Sequence, residues 1–387
     1  MAKISPFAAL RFDPRKAPLS RALCPPYDVI SPEQAADLRR HPVNAIDVEL
    51  PRGAGPNRYR AAAGVWKRWK KDGMIIGDAA PSFYVCEEMF YRRGKSFRRR
   101  GFFAALEVRR AGKDILAHEK TLSKPKAERL KLLRALRVNT SPIFGLFKDP
   151  SGRARRALAA ARWKKPDASG HLDGVAYRLW RIDGGKLARL LPRLVASQKI
   201  LIADGHHRCE VARRYWGMTR RPQARSVLAY FCPEEDSGLV VLPTHRVVAG
   251  RSWREASQSR CRVTSCPSLR VLSARLAASK NPYAYGLFDG DFLLAEPKSA
   301  AGCKSGLGVE WLNRVLFAGV RPEDIRYTPD ADKAASWARS GRSSAVLVKP
   351  FPAAQIRRAV AAVGLLPPKS TYFYPKVPAG LVFKAAS

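Results

Sequence analysis

The stretch Lys199-Ile-Leu-Ile-Ala-Asp-Gly-His-His-Arg-Cys-Glu-Val-Ala-Arg-Arg-Tyr-Trp216 contains an apolar run, a compact polar motif and an amphipathic segment. The apolar, partly β-branched residues 199–203 predict a buried strand. Residues 210–216 predict a helix, because their apolar side chains fall on one helical face. The residues between them, 204–208, are therefore predicted to lie in a strand-to-helix turn.

The chemistry of this predicted turn suits an anion. A strand-to-helix turn directs backbone N–H groups and the positive end of a helix at one point. Gly205 lets the backbone approach a ligand closely, and Arg208 can hold a phosphate or carboxylate through two parallel hydrogen bonds. Asp204, His206 and His207 could move protons or orient a hydroxyl group. The alternative is that Asp204 caps the helix and the histidines are solvated.

The composition limits the class of protein. The 387 residues suffice for two or three domains, and 46% apolar with 27% charged residues is typical of a folded soluble chain. No apolar run is long enough to cross a bilayer, and a signal-peptide core is absent, so we expect a cytoplasmic protein with no membrane partner. The seven cysteines include no Cys-x-x-Cys pair, so neither a metal site nor a disulfide framework is predicted.

The formal net charge of +39 makes this a strongly basic protein. One interpretation is a polyanionic partner, because Lys and Arg side chains release counterions from phosphates. The other is a general preference for arginine, since the basic residues are spread along the chain. Either interpretation predicts non-specific nucleic-acid binding at low salt. The sequence does not predict an oligomeric state.

A second concentration of polar residues lies at 115–129. A short strand is predicted to end at His118 and Glu119, and a helix to run from Ser123 to about residue 139. Glu119 could act as a general base, and basic side chains at the helix start could clamp phosphates. Those basic residues are Lys124, Lys126, Arg129 and Arg134. The alternative is a basic, solvated helix face.

Other candidate pocket residues are polar or aromatic and lie beside prolines or at the ends of predicted strands. They are Tyr27, Asp28, Ser141, Thr244, His245, Arg246, Lys369, Tyr372 and Lys376, together with His118. We expect these residues to converge with Gly205 on one cavity lined by backbone amides.

The order of predicted elements indicates a mixed α+β fold with two domains. Residues 1–250 form the predicted nucleotide- and substrate-binding core, in which residues 43–50 are read as a strand. Residues 251–387 form a smaller α+β domain with a hairpin at 283–296 that turns at Asp289-Gly290-Asp291. The aromatic, lysine-rich tail at 369–383 is predicted to fold back on the core.

Seven motifs together resemble one family over nearly the whole chain. They are Pro25-Pro-Tyr-Asp-Val-Ile-Ser31, His118-Glu-x-Thr-Leu-Ser123, Pro125-Lys126 with Arg129, Ser141-Pro-Ile-Phe-Gly-Leu146, Ala203-Asp-Gly-His-His-Arg208, Leu242-Pro-Thr-His-Arg246 and Lys369-Ser-Thr-Tyr-Phe-Tyr-Pro-Lys376. The chain resembles the bacterial and archaeal family known as domain of unknown function 1015. That resemblance specifies a family and supplies no function.

The Asp-Gly-His-His-Arg motif also resembles a signature of the ParB/sulfiredoxin-like superfamily. That group includes DNA-partition proteins that bind CTP, sulfiredoxins that use ATP and free-serine kinases that use ADP or ATP. The resemblance implies a ParB/sulfiredoxin-like core in which the turn meets nucleotide phosphates. The serine kinases carry Thr where this chain has His207, and the sulfiredoxin cysteine is replaced by His206, which argues against that redox chemistry.

Together these features predict a nucleotide-dependent phosphotransferase, a small-molecule kinase that uses ATP or ADP with Mg²⁺ on a small hydroxylated metabolite such as serine. Gly205, Arg208 and the basic helix start would hold phosphates, Glu119 or Asp204 would accept the hydroxyl proton, and the two histidines would assist. No Walker or Rossmann loop occurs, so a nucleotide would bind by another route. The alternatives are a ParB-like nucleic-acid-binding or nucleotide-switch protein, and a non-catalytic metabolite-binding protein.

Overall fold

A computed structural model describes five segments of the chain. They are residues 2–110, 114–119, 123–196, 198–340 and 343–387, without the side chains of Arg110, Ser123, Lys124 and Trp163. The chain divides into two compact units. Unit 1 comprises Met1–Ala117, Thr121–Leu239 and Pro375–Ser387, and unit 2 comprises His118–Lys120 and Val240–Tyr374.

Both units combine helices and strands, which confirms the predicted mixed α+β fold class. The described strands are β1 (Ile4–Ser5), β2 (Leu10–Phe12), β3 (Ile75–Gly77), β4 (Phe83–Arg92), β5 (Lys95–Glu107), β6 (Ile115–Leu116), β7 (Val138–Asn139), β8 (Ile143–Phe147), β9 (Ala168–Leu172), β10 (Val175–Ile182), β11 (Ile200–Asp204), β12 (Ser226–Pro233), β13 (Val240–Leu242), β14 (His245–Val248), β15 (Cys261–Cys266), β16 (Tyr285–Asp289), β17 (Asp291–Pro297), β18 (Ile325–Thr328), β19 (Ser344–Val348), β20 (Tyr372–Tyr374) and β21 (Lys384–Ala385). The described α-helices are α1 (Leu19–Ala22), α2 (Pro32–Leu38), α3 (Ile46–Glu49), α4 (Asn57–Lys71), α5 (Ser123–Leu136), α6 (Arg153–Ala160), α7 (Gly185–Ala196), α8 (His206–Thr219), α9 (Arg254–Arg260), α10 (Leu269–Ala278), α11 (Gly308–Trp311), α12 (Ala331–Ser340) and α13 (Ala353–Val363).

Unit 1 is built on a mixed sheet of nine strands within its described residues. Its order is β6-β11-β8-β12-β5-β4-β10-β9, with β1 beside β5. β8 runs parallel to β12 and antiparallel to β11, whose register shifts between Ile202 and Asp204. The central strand β8 is buried along its whole length, as expected for a strand covered on both faces.

Helices α5 and α8 pack together through a small apolar cluster. Leu130 and Leu133 of α5 contact Val211 and Tyr215 of α8 within this cluster, which also includes Ala386. The larger core on the sheet takes Cys209 and Ala212 from the same helix. Helix α8 is therefore anchored on two sides, which fixes the position of its N-terminus.

The short helix α3 corrects the prediction of a strand at 43–50. The side-chain amide of Asn44 donates to the carbonyls of Arg21 (2.7 Å) and Leu23 (2.9 Å), and its oxygen accepts the N–H of Ile46 (2.9 Å). Such a local side-chain-to-backbone bond starts a turn in place of an extended strand. The turn places Glu49, at the end of α3, in the interior.

A fully buried ion pair joins the adjacent strands β4 and β5 in the sheet of unit 1. Arg99 on β5 and Glu88 on β4 are both 0% exposed, and the Arg99 Nη2–Glu88 Oε1 distance is 2.8 Å. The hydroxyl of Tyr230 also donates to Glu88 at 2.9 Å. Burial alone lowers the pKa of Arg99, but Glu88 raises it above its ordinary value. Nη2 of Arg99 also donates to the carbonyl of Pro375 at 2.7 Å, which ties the C-terminal segment of unit 1 to the sheet.

Unit 2 contains an antiparallel sheet of six strands among the residues that the structure describes. Its order is β15-β17-β16-β19-β14-β18. The predicted hairpin is confirmed, because β16 and β17 pair around Gly290, whose φ is +80°. Helices α10 and α12 pack on this sheet through Leu272, Leu276 and Ala335. In the described part of either unit, no helix has the length and apolar character needed to span a membrane.

We predict that Arg99→Met lowers the free energy of unfolding by about 3–5 kcal/mol, because it leaves the charge of Glu88 buried and unpaired. Urea denaturation followed by tryptophan fluorescence measures this loss. Adding Glu88→Leu to the same chain is expected to recover part of it, because the double variant buries no charge.

The neighbouring Arg100→Met variant is the matched control. Arg100 contacts Glu87 at 2.7 Å, but Glu87 also lies near Arg98 (3.7 Å) and Arg178 (3.6 Å). The carboxylate therefore keeps partners, and the expected loss is about 1 kcal/mol. Equal losses in the two single variants would show that burial of the Arg99 pair is energetically unimportant.

Candidate functional site

The turn between β11 and α8 consists of a single glycine. β11 ends at Asp204, Gly205 has φ +88°, and α8 begins at His206. The prediction that 204–208 all lie in the turn is therefore wrong in detail, since His206, His207 and Arg208 occupy the first turn of the helix. One left-handed residue reverses the chain direction, so no longer loop is needed.

Gly205 has a positive φ, and the space that a side chain at this position would need is already occupied. A Cβ placed on this residue would lie 3.1 Å from both Nε of Arg208 and Cα of Ile143. The turn therefore requires glycine, and the backbone of residue 205 is exposed to a close approach by Arg208.

The carboxylate of Asp204 holds two cations. Its Oδ2 accepts a bond from Nη2 of Arg208, and its Oδ1 accepts one from Nζ of Lys376. The three side chains are only 9%, 13% and 11% exposed, in the order Arg208, Asp204, Lys376. Burial lowers the pKa values of Arg208 and Lys376, but the attraction of Asp204 and Asp28 raises both above their ordinary values. Both cations therefore stay charged.

Arg208 keeps one buried donor without a partner. Its Nη1 donates to the carbonyl of Pro142, whereas its Nε is buried and bonds to none of the described residues. This nitrogen lies against Gly205, at the N-terminus of α8. An unpaired buried N–H costs about 1–3 kcal/mol, and an anion at the positive end of the helix would satisfy it.

Beside this turn lies a buried carboxylate that the sequence analysis missed. Glu49 is 0% exposed, and accepts bonds from the hydroxyls of Ser141 (2.9 Å) and Thr140. Nη1 of Arg129 lies 3.2 Å from Oε1 of Glu49. The carboxylate thus fixes two of the predicted site residues, Ser141 and Arg129. Its Oε1 also accepts the backbone N–H of Tyr27 at 3.4 Å. No local pattern in the sequence signals this role, since the hydroxyl and guanidinium partners of Glu49 lie 80 residues or more along the chain.

Tyr27 and Asp28 belong to the same region of unit 1. The guanidinium of Arg129 lies 4.0 Å from the ring centre of Tyr27, in a cation–π contact. Burial and then the charge of Asp28 raise the pKa of Tyr27 to about 12, so its hydroxyl keeps its proton near neutral pH. The charge of Asp28 also acts on Arg208 and Lys376.

A small cavity opens between α5, α8 and the segment formed by β7 and the two residues that follow it. Its volume is about 40 Å³, and its lining includes Arg129, Thr140, Ser141 and Arg208. A single water needs roughly 10–15 Å³ measured in this way, so the cavity holds a few waters. Nucleotide-sized ligand pockets are roughly 300–1,000 Å³, and this space alone is too small for one.

The basic residues near the start of α5 differ in what they contact. Nζ of Lys126 contacts Glu210 of α8 at 2.9 Å, so this lysine is already bound to the helix that carries Arg208. Lys124 is also predicted to bind phosphate, and its side chain lies outside the part of the chain that the structure describes. Arg129, as above, is held by Glu49.

His118 and Glu119 lie in unit 2, where residues 369–371 bind them. Glu119 accepts bonds from the N–H of Lys369 (3.1 Å) and from the N–H (2.9 Å) and hydroxyl (3.1 Å) of Thr371. Nε2 of the buried His118 lies 2.8 Å from the Thr371 hydroxyl. The polar groups of this predicted site thus hold the segment before β20.

The remaining predicted residues also lie in unit 2. His245 accepts the N–H of Val348 at Nδ1 (3.0 Å), Thr244 and Arg246 are buried beside it, and Tyr372 of β20 pairs with Leu242 of β13. Tyr27, Asp28, Ser141 and Lys376 share unit 1 with Gly205. Because the predicted residues fall in two units, their convergence on one cavity stays a prediction.

Protein metal ligands are not clustered in the described segments. No group of three or more His, Cys, Asp or Glu side chains there could hold a metal ion. Both oxygens of Asp204 are engaged by cations. The site geometry therefore provides anion-binding groups and no assembled metal centre.

Comparison with known proteins gives one family. Residues 4–305 match the family described as "Protein of unknown function (DUF1015)". No curated protein matches the chain.

Several solved structures are distantly similar. A conserved hypothetical protein from Pyrococcus furiosus is 14% identical, with a TM-score of 0.38 over 74% of this chain and 95% of that one. A free serine kinase in complex with AMP is 13% identical, with a TM-score of 0.39 over 74% and 92%. SbnI with a C-terminal truncation, from Staphylococcus aureus, is 12% identical, with a TM-score of 0.41 over 73% and 88%. Such low values carry no argument about this chain.

We predict that Gly205→Ala lowers the free energy of unfolding by about 1–3 kcal/mol, because alanine is strained at positive φ and its Cβ would crowd Arg208. Gly217→Ala, in the same helix with no atom within 4 Å of the added Cβ, is expected to raise stability by up to about 1 kcal/mol. Urea denaturation of both variants measures the contrast. Equal effects at the two glycines would mean that the turn tolerates a side chain.

Proposed function

The chain belongs to the DUF1015 family, and from the geometry of unit 1 we propose that it is a nucleotide-dependent phosphotransferase acting on a small hydroxylated metabolite. One observation carries the proposal. Arg208 and Lys376 share the carboxylate of Asp204 at the N-terminus of α8, and Nε of Arg208 has no partner among the described residues. We interpret this strand–glycine–helix turn as one of the ParB/sulfiredoxin type, as in the free-serine kinases.

A phosphate group suits this turn for three reasons. The N-terminus of α8 carries a partial positive charge. Gly205 has no side chain to block approach. Arg208 and Lys376 add two cations, which bond to Asp204 and also feel the charge of Asp28. In the proposal these groups bind the nucleotide phosphates.

Phosphoryl transfer requires little from the protein beyond position and charge. The metabolite oxygen attacks the terminal phosphorus, the bond from that phosphorus to the bridging oxygen breaks, and the shortened nucleotide leaves with the electron pair. The hydroxyl proton passes to a carboxylate. Asp204 and Glu119 both remain candidates for this base, with His206 and His207 assisting from their respective positions.

Mg²⁺ is expected to accompany ATP or ADP. This ion usually binds through phosphates, waters and one or two carboxylates. Both oxygens of Asp204 are bonded to cations, so that carboxylate does not fit as a metal ligand in this geometry. The protein groups named above act on the phosphates, and none of their roles depends on a protein–metal bond.

We predict that calorimetric titration detects binding of ATP, ADP or CTP in the presence of Mg²⁺, and that Arg208→Met weakens it roughly 10- to 100-fold, as expected for a lost charge-assisted contact. Asp204 keeps Lys376 as a partner in this variant, so the fold should be retained. Arg214→Met, which removes an exposed arginine of the same helix, is the control and should bind as the unmodified chain does.

Absence of nucleotide binding in the presence of Mg²⁺ would end the proposal. Where a nucleotide binds, a serine-to-phosphoserine assay extended to other hydroxylated metabolites separates an enzyme from a non-catalytic metabolite-binding protein. A ParB-like protein would instead bind a specific DNA sequence at physiological salt, with a dissociation constant well below the roughly 10⁻⁴–10⁻⁶ M of non-specific binding.

A further inference from the structure

We propose that unit 2 contains a binding site for a small carboxylate, formed by the guanidinium of Arg246 and the hydroxyl of Thr244. The inference stands on unit 2 alone and requires no nucleotide chemistry. It rests on a buried guanidinium with no bonded carboxylate and a buried hydroxyl with no hydrogen-bond partner, both judged among the described residues, and on a strained residue beside them.

Arg246 on β14 is a buried cation without a bonded carboxylate. Only 3% of the residue is exposed. Its guanidinium donates to the backbone carbonyls of Thr244 (2.6 Å) and Lys369 (3.4 Å) and lies 5.6 Å from the ring centre of Tyr327. Among the described residues, no carboxylate oxygen lies within ion-pair distance of it.

Such a cation is costly to bury. Removing an ion from water costs several kcal/mol unless a counter-charge compensates. Burial lowers the pKa of Arg246 to about 10, although the interactions with Tyr327 and Glu119 act in the opposite direction. The guanidinium therefore lacks a full counter-charge within the protein, and a bound anion would supply one.

The hydroxyl of Thr244 is the second unused group. Its Oγ1 is buried and makes no hydrogen bond within the described residues. Thr244 lies two residues before Arg246, the spacing that places alternate side chains of an extended segment on one face. His245 between them bonds to Val348 of the neighbouring strand β19 (3.0 Å), in keeping with this alternation.

Lys369 adds strain at the same place. It is a non-glycine residue with φ +56°, a conformation that costs roughly 1–3 kcal/mol and is often found at ligand sites. Its N–H donates to Glu119 (3.1 Å) and its carbonyl accepts from Arg246 (3.4 Å). The strained residue is thus held at both ends by groups of this cluster.

A carboxylate fits this cluster better than a phosphate does. A planar carboxylate matches the two parallel N–H groups of a guanidinium and can accept a third bond from a hydroxyl. One negative charge balances the one charge of Arg246. A doubly charged phosphate would add an excess negative charge near Glu119, whose charge already acts on Arg246. The ligand class is therefore a small monocarboxylate.

We predict that glycolate or L-serine, titrated into the full chain without nucleotide, gives a calorimetric binding signal that Arg246→Met weakens at least about tenfold and Thr244→Val about fivefold, the equivalent of one lost hydrogen bond. Thr244→Val breaks no bond in the protein, so its stability should not fall. Arg326→Met removes an exposed arginine that stacks on Trp337 (3.9 Å) and should bind as the unmodified chain does.

Several results would overturn the assignment. They are the absence of binding by both carboxylates, equal binding by Thr244→Val and the unmodified chain, and stronger binding of inorganic phosphate or sulfate than of either carboxylate. Arg246→Lys, which keeps the charge but loses the paired donors, replaces Arg246→Met if the latter does not fold, and should also weaken binding. Nucleotide binding is measured separately with Arg208→Met, so either hypothesis can fail without the other.

Discussion

One carboxylate with two cations determines the architecture of unit 1 around β11 and α8. Asp204 bonds to Arg208, four residues later, and to Lys376, far along the chain. The first bond fixes the arginine against the turn, and the second brings a distant segment to the same point. Because all three side chains are nearly buried, each charge compensates for the desolvation of the others. Gly205 and the start of α8 acquire their surroundings from this arrangement.

Two further buried carboxylates of unit 1, Glu88 and Glu49, bind arginines close to these groups. Glu88 holds Arg99, whose Nη2 bonds to the carbonyl of Pro375, the residue before Lys376. Glu49 in turn holds Arg129. Each carboxylate is desolvated and would be unfavourable alone, but each is compensated by an arginine and by hydroxyl donors. The polar groups near the turn thus form connected pairs, which restricts the positions that their side chains can adopt.

Local features were predictable from the sequence, whereas long-range pairs were not. The strand before residue 204, the helix after it and the hairpin around Gly290 follow from periodicity and turn chemistry within short windows. The wrong strand at 43–50 reflects an apolar pattern that Asn44 overrides through its own hydrogen bonds. Glu49 could not be identified, because its hydroxyl and guanidinium partners lie 80 residues or more along the chain and meet it only through tertiary packing. Lys376 was notable only because it lies in a segment rich in lysine and aromatic residues. No local sequence pattern identifies Asp204 as its partner.

The position of Lys376 has a consequence for synthesis. Asp204 and Arg208 leave the ribosome together, but the second cation is translated roughly 10–30 s later at ordinary elongation rates of about 5–20 residues per second. During that interval the carboxylate lacks its bond to Lys376, and the strand pair β7–β21, whose later member follows Lys376, is also missing. A nascent chain therefore displays this turn in an incomplete form, and premature termination upstream of codon 376 would leave it so permanently.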